Sequence, residues 1–268
     1  MEEGRLILIT TYGRGPDHQY TWKNLPEHVR QDTQLVVSPD ERKAFVVAGY
    51  PVVVCPKQGQ GLGVVRQWCV DYAHNKGYVK LGLFDDDLVQ WSRRGMTKTG
   101  DTYARCGAEE VGRAITRMWG HLDRYAHGGI PISLYAQGHD ILEFNKRALD
   151  ALFYRVDILK SGRYKFDMPL MSDFDMTLKL IKGGWANVID YYCYQKQKGS
   201  NLPGGCSSYR TLDGMRAAAA ELEMRYAPFV KVVTRPDNWG LKGERADVRV
   251  AWKKLAEASR ATTIDGRA

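Results

Sequence analysis

Residues 78–91 read YVKLGLFDDDLVQW, an apolar run that stops on three consecutive aspartates, Asp85, Asp86 and Asp87. Adjacent like charges repel, and aspartate is a poor strand residue. The run therefore constrains the chain twice. Its apolar part reads as a buried strand. Its acidic end needs either a helix start, where aspartate caps free backbone N–H groups, or a positive charge beside it.

The same alternation of apolar run and polar end occurs upstream. RLILITTY (5–12), TQLVVSPDE (33–41) and YPVVVCP (50–56) read as strands, and YVKLGLFDDD is the fourth. TWKNLPEHV reads as a short helical or turn segment, and KAFVVAG as helix or strand. LGVVRQWCVDYAHNKG carries Leu62, Val65, Trp68, Cys69 and Tyr72 at helical spacing and stops at Gly77. Strands joined by helical crossovers predict an open, doubly wound α/β sheet. Ligands in such sheets lie beyond the carboxyl ends of the strands. Those ends carry Thr10, Thr11, Tyr12 and Arg14, then Ser38 and Asp40, then Lys57 and Gln58, then the three aspartates.

Further along, RRGMTKTGDTYARCG (93–107) is polar and aperiodic and reads as a long loop of the kind that forms lids. Residues 108–126 read as an amphipathic helix, 130–138 as a strand, and 146–156 as strand or helix. MSDFDMTLKLIKGG is a helix closed by Gly183, and WANVIDYYCYQ a strand. KQKGSNLPGGCSSYRT is a glycine-rich loop, LDGMRAAAAELEMRYA a helix by propensity, and FVKVVTRPDNW a late strand. With 268 residues, 44% of them hydrophobic, the chain supports one large α/β domain.

No 18-residue apolar run is present, so no membrane span is expected. The N-terminus reads as a first strand and not as a signal peptide. Five cysteines with no C-x-x-C pair read as free thiols of a reducing cytoplasm. The net charge of +8 suits a polyanionic partner, either nucleic acid or a nucleotide-bearing substrate. Much of it lies in residues 235–268, with Arg235, Lys242, Arg245, Arg249, Lys253, Lys254, Arg260 and Arg267.

Hard cations such as Mg²⁺ and Mn²⁺ take oxygen ligands, commonly one or two carboxylates plus substrate phosphates. Asp85 and Asp87, two apart on an extended segment, project alike and fit a metal holding a diphosphate; Asp86 turns elsewhere. A helix-cap cluster remains the alternative. A second acidic pair, Asp173 and Asp175, opens the helix SDFDMTLKL. Acids there favour the helix dipole, and a carboxylate there can equally act as a general base.

LFDDDL followed by SDFDMTLKLIKGG resembles the GT-A glycosyltransferases, which carry a D-x-D for metal and nucleotide-sugar diphosphate and a later acidic pair opening a helix. Ser172 stands where that pattern usually has Glu. Together with ITTYGR, YTWKNLP, VCPKQGQGLGVVRQW and SNLPGGCSSYRT, these segments look like the TET-associated glycosyltransferases of bacteriophages. The resemblance implies a GT-A fold, with a Rossmann-like, mostly parallel open sheet flanked by helices and a smaller acceptor-side part. It implies a nucleotide-sugar half over 1–92, an acceptor and catalytic half over 93–232, and a basic C-terminal extension over 233–268. It further implies metal-dependent transfer, with Mn²⁺ or Mg²⁺, from a UDP-sugar to hydroxymethylated pyrimidines in DNA, with inversion and in the host cytoplasm.

Carried over by position, Asp85 and Asp87 are the metal side and Asp173 is the base. Thr10, Tyr12, Arg14, Asp40, Lys57, Arg66 and Asp86 are the nucleotide-sugar contacts. Asn201, Lys198, Arg210 and Asp175 are diphosphate or acceptor contacts. No histidine follows His139, which leaves Asn201 or a loop carbonyl where many relatives have a late metal ligand. Other readings stay open: Arg66 as a surface arginine, Gly59, Gly61 and Gly63 as an ordinary turn, Lys196, Lys198 and Arg210 as a solvated basic turn. A nucleotidyltransferase built on the same metal–diphosphate logic and a non-catalytic DNA-binding protein are the alternative functions.

Overall fold

The computed structural model describes residues 4–97, 100–132, 141–160, 162–199, 203–236 and 243–266, with backbone alone at 94–97, 100–103 and 206. The first half folds as β1 (Arg5–Thr10), α1 (Tyr20–Asn24), α2 (Glu27–Arg30), β2 (Thr33–Val37), α3 (Arg42–Val47), β3 (Val52–Val54), α4 (Leu62–Asn75) and β4 (Lys80–Asp85). Then come β5 (Leu88–Thr97), β6 (Gly100–Arg105), α5 (Ala108–His121), β7 (His127–Gly129), β8 (Leu142–Phe144), β9 (Ala151–Arg155), α6 (Val156–Leu159), α7 (Ser172–Lys182), β10 (Asn187–Asp190) and β11 (Tyr194–Gln197). The chain continues as α8 (Leu212–Tyr226), β12 (Val230–Pro236), β13 (Glu244–Val250) and α9 (Trp252–Ala258).

The main sheet has the order β3-β2-β1-β4-β9-β7-β10-β8. β9 and β8 run against the other strands, which all point the same way. This is a mostly parallel open sheet flanked by helices, as the sequence reading expects. The run RLILIT lacks alternation because both of its faces are covered. Leu6 and Leu8 pack with Val65, Cys69 and Val70 of α4. Ile7 and Ile9 pack with Val111, Ile115 and Met118 of α5 on the other face. Each such aliphatic side chain contributes about 1.5–3 kcal/mol by leaving water.

β1 pairs with β2 on one side and β4 on the other, in parallel register on both sides. From β3, at the edge of the sheet, α4 carries the chain back across to β4. The strand order reverses at β1/β4, and a crevice opens beyond their carboxyl ends. Thr10 and Asp85 are Cα partners at that point. A third apolar layer lies beyond α7, where Phe174, Leu178 and Ile181 meet Met215 and Leu222 of α8, Val230 and Val248 of the β12–β13 ribbon, and Leu255 of α9. Residues 246–261 thus contribute Ala246, Val248, Val250, Trp252, Leu255, Ala256 and Ala261 to the layer shared with α7 and α8.

Several segments differ from the sequence reading. Residues 93–107, expected as a loop, are mostly the β5–β6 hairpin, in register from Ser92–Arg105 to Thr97–Gly100. Arg93 and Arg105 stand on opposite faces of the hairpin and are both exposed, so no alternating pattern marks it in the sequence. Residues 185–195 split into β10 and β11, which belong to different sheets. Residues 146–156 resolve as β9, antiparallel between β4 and β7. β7, at His127–Gly129, precedes the strand expected at 130–138; within that span Ile132 makes an isolated bridge to Gln195, and residues 133–138 lie outside the described residues. No helix among the described residues is long and apolar enough to cross a membrane.

Candidate active site

A cavity of about 380 Å³ opens beyond the carboxyl ends of β1 and β4. Thr10, Thr11, Tyr12 and Arg14 line it from β1 and its loop, Arg66 from α4, and Asp85, Asp86 and Asp87 from the end of β4. Asp150 and Arg147 enter ahead of β9, and Asp173 from the first turn of α7. Arg210, Arg245 and Asp247 line it as well.

The turn after β4 is held from several elements. The Thr21 backbone N–H donates to the Asp86 carbonyl at 3.0 Å, and its hydroxyl accepts from the Leu88 N–H at 3.0 Å. Thr11 donates its hydroxyl proton to Asp86 Oδ2 at 2.6 Å, and Gln19 donates to Thr11 at 3.0 Å. Arg14 pairs with Asp86 through Nη1 and lies 3.2 Å from Asp87 Oδ2. Arg66 reaches Asp85 at 3.2 Å and donates to the Ser172 hydroxyl at 3.1 Å, which ties α4 to the start of α7. Arg147 holds Asp173 Oδ2 through Nε at 2.7 Å and Nη2 at 2.6 Å, with its guanidinium 3.6 Å from the centroid of the Phe174 ring. Each carboxylate of this set except Asp150 therefore has an arginine from a separate segment against it.

The acids differ in charge state as a result. Burial raises the Asp87 carboxyl to about 7, with the Asp85 charge adding to it and Arg14 opposing. Burial also raises Asp86, against Arg14 and Thr11. Asp150 sits well above the usual carboxylate range through burial and then the charges of Asp85 and Asp173. At Asp173 burial pushes upward, but Arg147 and Arg66 outweigh it and hold the group below its ordinary value. Two non-glycine residues lining the cavity have left-handed backbone, Asp150 at φ 62° and Met171 at φ 55°. Such conformations cost energy and cluster at functional sites.

The structure brings Thr10, Tyr12, Arg14, Arg66, Asp85, Asp86, Asp87, Asp173 and Arg210 to one cavity. Four expected residues lie off its lining. Asp40 is exposed at the end of β2. Its neighbour Glu41 makes the contacts there, accepting from the Gly13 N–H at 2.8 Å and the Ser38 hydroxyl at 2.7 Å. Lys57 is exposed, while Gln58 donates to the carbonyls of Thr11 at 3.0 Å and Val36 at 2.9 Å, joining the ends of β1 and β2. Lys198 stacks its ammonium on the Tyr20 ring at 4.4 Å. Asp175 is buried in a knot with Lys179, Arg225 and the Tyr226 hydroxyl, at 2.6, 3.2 and 2.7 Å, that locks α7 to α8. Asn201 lies outside the described residues.

Arg147, Asp150, Arg245 and Asp247 also line the cavity without a signal in the sequence. Their segments match no motif, and only the sheet order and the third layer bring them in. Among the described residues no three His, Cys, Asp or Glu side chains form a closed metal cluster. The donors nonetheless suit a hard cation completed by substrate phosphate. Asp85 and Asp87 offer carboxylate oxygens on one cavity, and Asp87 Oδ1 is buried without a hydrogen-bond partner.

The sequence profile of the family described as TET-Associated Glycosyltransferase matches residues 6–204. Among solved structures, a 1–349 fragment of S. aureus TarS is similar at 13% identity and TM-score 0.47, over 82% of this chain and 65% of that one. The same fragment in complex with UDP gives 12% identity and TM-score 0.46, at the same coverage of both chains. Full TarS gives TM-score 0.47 and 13% identity over 82% of this chain and 39% of that one, so the chain spans well under half of it. A putative nucleotide-diphospho-sugar transferase from Desulfovibrio desulfuricans G20 gives 12% identity and TM-score 0.40, over 68% of this chain and 77% of that one. No curated protein matches.

Proposed function

The chain belongs to the TET-associated glycosyltransferases, which its residues 6–204 match, and from that premise we propose that it moves a sugar from a UDP-sugar to the hydroxymethyl group of a modified pyrimidine in DNA, 5-hydroxymethylcytosine first among them. One observation carries this reading. Asp85, Asp87, Asp150 and Asp173 share a cavity at the strand-order switch with Arg14, Arg66 and Arg147. A diphosphate leaving group and an acceptor hydroxyl need that mixture of cations and carboxylates within one site.

Thr10, Tyr12, Arg14 and Arg66 form the nucleotide side of the site. Asp86, paired with Arg14 and Thr11, fixes that arginine where the diphosphate lies. Asp85 and Asp87 would hold Mn²⁺ or Mg²⁺, which, when bound, offsets the charge of the departing diphosphate. Asp173, kept ionised by Arg147, takes the proton of the hydroxymethyl oxygen. That oxygen bonds the anomeric carbon as the carbon–diphosphate bond breaks on the opposite face, so the configuration inverts. Arg210, which lines the same cavity, steadies the leaving group.

The test is mass spectrometry of hydroxymethylcytosine and hydroxymethyluracil DNA after incubation with a panel of UDP-sugars and Mn²⁺ or Mg²⁺. A mass gain of one sugar with release of UDP is expected. Asp85→Asn and Asp87→Asn should each lower it about 100-fold or more. No gain with any combination would sink the reading, and pyrophosphate release would move the protein to the nucleotidyltransferases. An α-linked product from an α-linked donor removes the base role from Asp173.

A further inference from the structure

The β12–β13 ribbon lies beyond the residues that match the family and still reaches the cavity. Its pairing runs from Val230–Val250 to Pro236–Glu244 without a break. Because side chains alternate across a strand, the register sorts the ribbon into two faces. Val230, Val232, Ala246, Val248 and Val250 belong to the apolar layer shared with α8. On the opposite face Lys231 pairs with Arg249, Val233 with Asp247, and Arg235 with Arg245. That face carries four cations and one carboxylate.

Two arginines directly opposite each other destabilise a ribbon unless an anion lies between them. Asp247 supplies one, 3.1 Å from Arg235 and 3.5 Å from Arg245. Asp247 bridges the two guanidinium groups, and on this face of the ribbon cations outnumber carboxylates four to one. The two ends of this trio differ in exposure, with Arg235 at 52% and Arg245 at 12%. Arg245 and Asp247 line the cavity, while Lys231, Arg235 and Arg249 face solvent. A strip of positive charge thus runs from open surface, along one face of the ribbon, to the wall of the active-site cavity.

We infer that this face is a phosphodiester track, on which the acceptor polynucleotide is held so that its target nucleotide enters the cavity, with Arg245 the innermost phosphate contact. The inference rests on the DNA acceptor proposed above and assigns its binding surface to residues of the C-terminal ribbon. Spaced cations along a strand suit a repeating anion, and a free nucleotide or sugar phosphate would use only one of them.

Binding of a hydroxymethylcytosine oligonucleotide, followed by fluorescence anisotropy between 50 and 200 mM salt, tests the track. Arg235→Ala and Arg249→Ala are surface changes that leave the apolar face intact. Each is expected to weaken binding on any sequence and to reduce the slope of log affinity against log salt by about one. In transfer assays Arg245→Gln is expected to lower kcat/KM about tenfold for the oligonucleotide relative to the free hydroxymethylated nucleoside, mainly through KM. Unchanged salt slopes in both surface variants, or a polymer-to-nucleoside ratio within twofold of wild type, overturns the inference. Wild-type protein that transfers no sugar to either acceptor sinks the activity proposed above, and the salt slopes then decide the ribbon alone.

Discussion

Arg147 sets the chemistry available to Asp173 more than any feature of the motif around that aspartate. Two of its nitrogens converge on one carboxylate oxygen, and an opposite charge at that distance favours the ionised form against burial. Without that cation the same burial acts unopposed by its strongest partner, so the Asp173 carboxyl rises in Arg147→Gln. A base must be deprotonated to act, and the acid limb of the transfer rate should therefore move to higher pH in this variant. Below the limb the rate should fall about tenfold per pH unit. A pH–rate profile with its limb unmoved, or a loss equal at every pH, would leave Arg147 a merely structural residue. The three aspartates of the opening motif divide in the same way. Arg14 bridges Asp86 and Asp87, with Thr11 also on Asp86, whereas Asp85 is held by Arg66 at 3.2 Å, and all three line the cavity.

At the scale of elements, the junction between α4 and α7 decides whether Arg66 reaches both Asp85 and Ser172. Gly63, in the first turn of α4, sits so close to the chain at 168 that an added Cβ would lie 2.1 Å from the Met168 carbonyl oxygen. No side chain fits there without moving backbone. Gly63→Ala is expected to cost about 1–3 kcal/mol and, by shifting Arg66, to lower kcat/KM by up to about 100-fold. Gly120, exposed near the end of α5 with nothing within 4 Å of its would-be Cβ, is the matched control. There alanine should stabilise by about 0.5–1 kcal/mol through helix propensity. Thermal melts of the two variants should move in opposite directions, and a Gly63→Ala protein as stable and active as wild type would show the junction to be loose. The strands and helices of residues 5–87 were readable because each apolar run is covered on both faces. The β5–β6 hairpin was not, since exposed arginines, Arg93 and Arg105, stand on both of its faces and leave no period. At the ends of β2 and β3 it is Glu41 and Gln58, beside the exposed Asp40 and Lys57, that bond to the neighbouring backbone, because a strand end recognisable by composition does not say which of two adjacent polar side chains turns inward. Arg147, Asp150 and Asp247 come from segments whose only link to the site is the sheet order and the packing of α7 on α8.

For the whole molecule, the paired and the buried carboxylates pull stability against pH in opposite directions. Asp167 and Asp190 have carboxyls below their ordinary value: burial raises both, but Lys179 and Arg225 outweigh it at Asp167, and His121 and Arg117 at Asp190. They stabilise the fold above the unfolded carboxylate range and lose that contribution as pH falls. Asp86, Asp87 and Asp150 are raised, first through burial, and their contribution has the reverse sign. His127 separates cleanly from both groups. It is fully buried in β7, stacked on Tyr154 with the rings 5° from parallel, and neither ring nitrogen has a hydrogen-bond partner among the described residues. Burial alone lowers it to about 3, against about 6.5 in an unfolded chain. Between those values the unfolded state binds a proton that the native state does not, so stability falls as pH drops below about 6.5, by about 1.4 kcal/mol per pH unit. His127→Phe keeps the aromatic stack and removes the proton. Comparing the variant with wild type cancels the carboxylates common to both. In urea unfolding at pH 7 and pH 5, the stability difference between the variant and wild type should therefore shift toward the variant by about 2 kcal/mol on acidification. A difference that stays constant between the two pH values would mean that His127 is protonated in the folded protein, paired with an acid or water that its burial does not reveal.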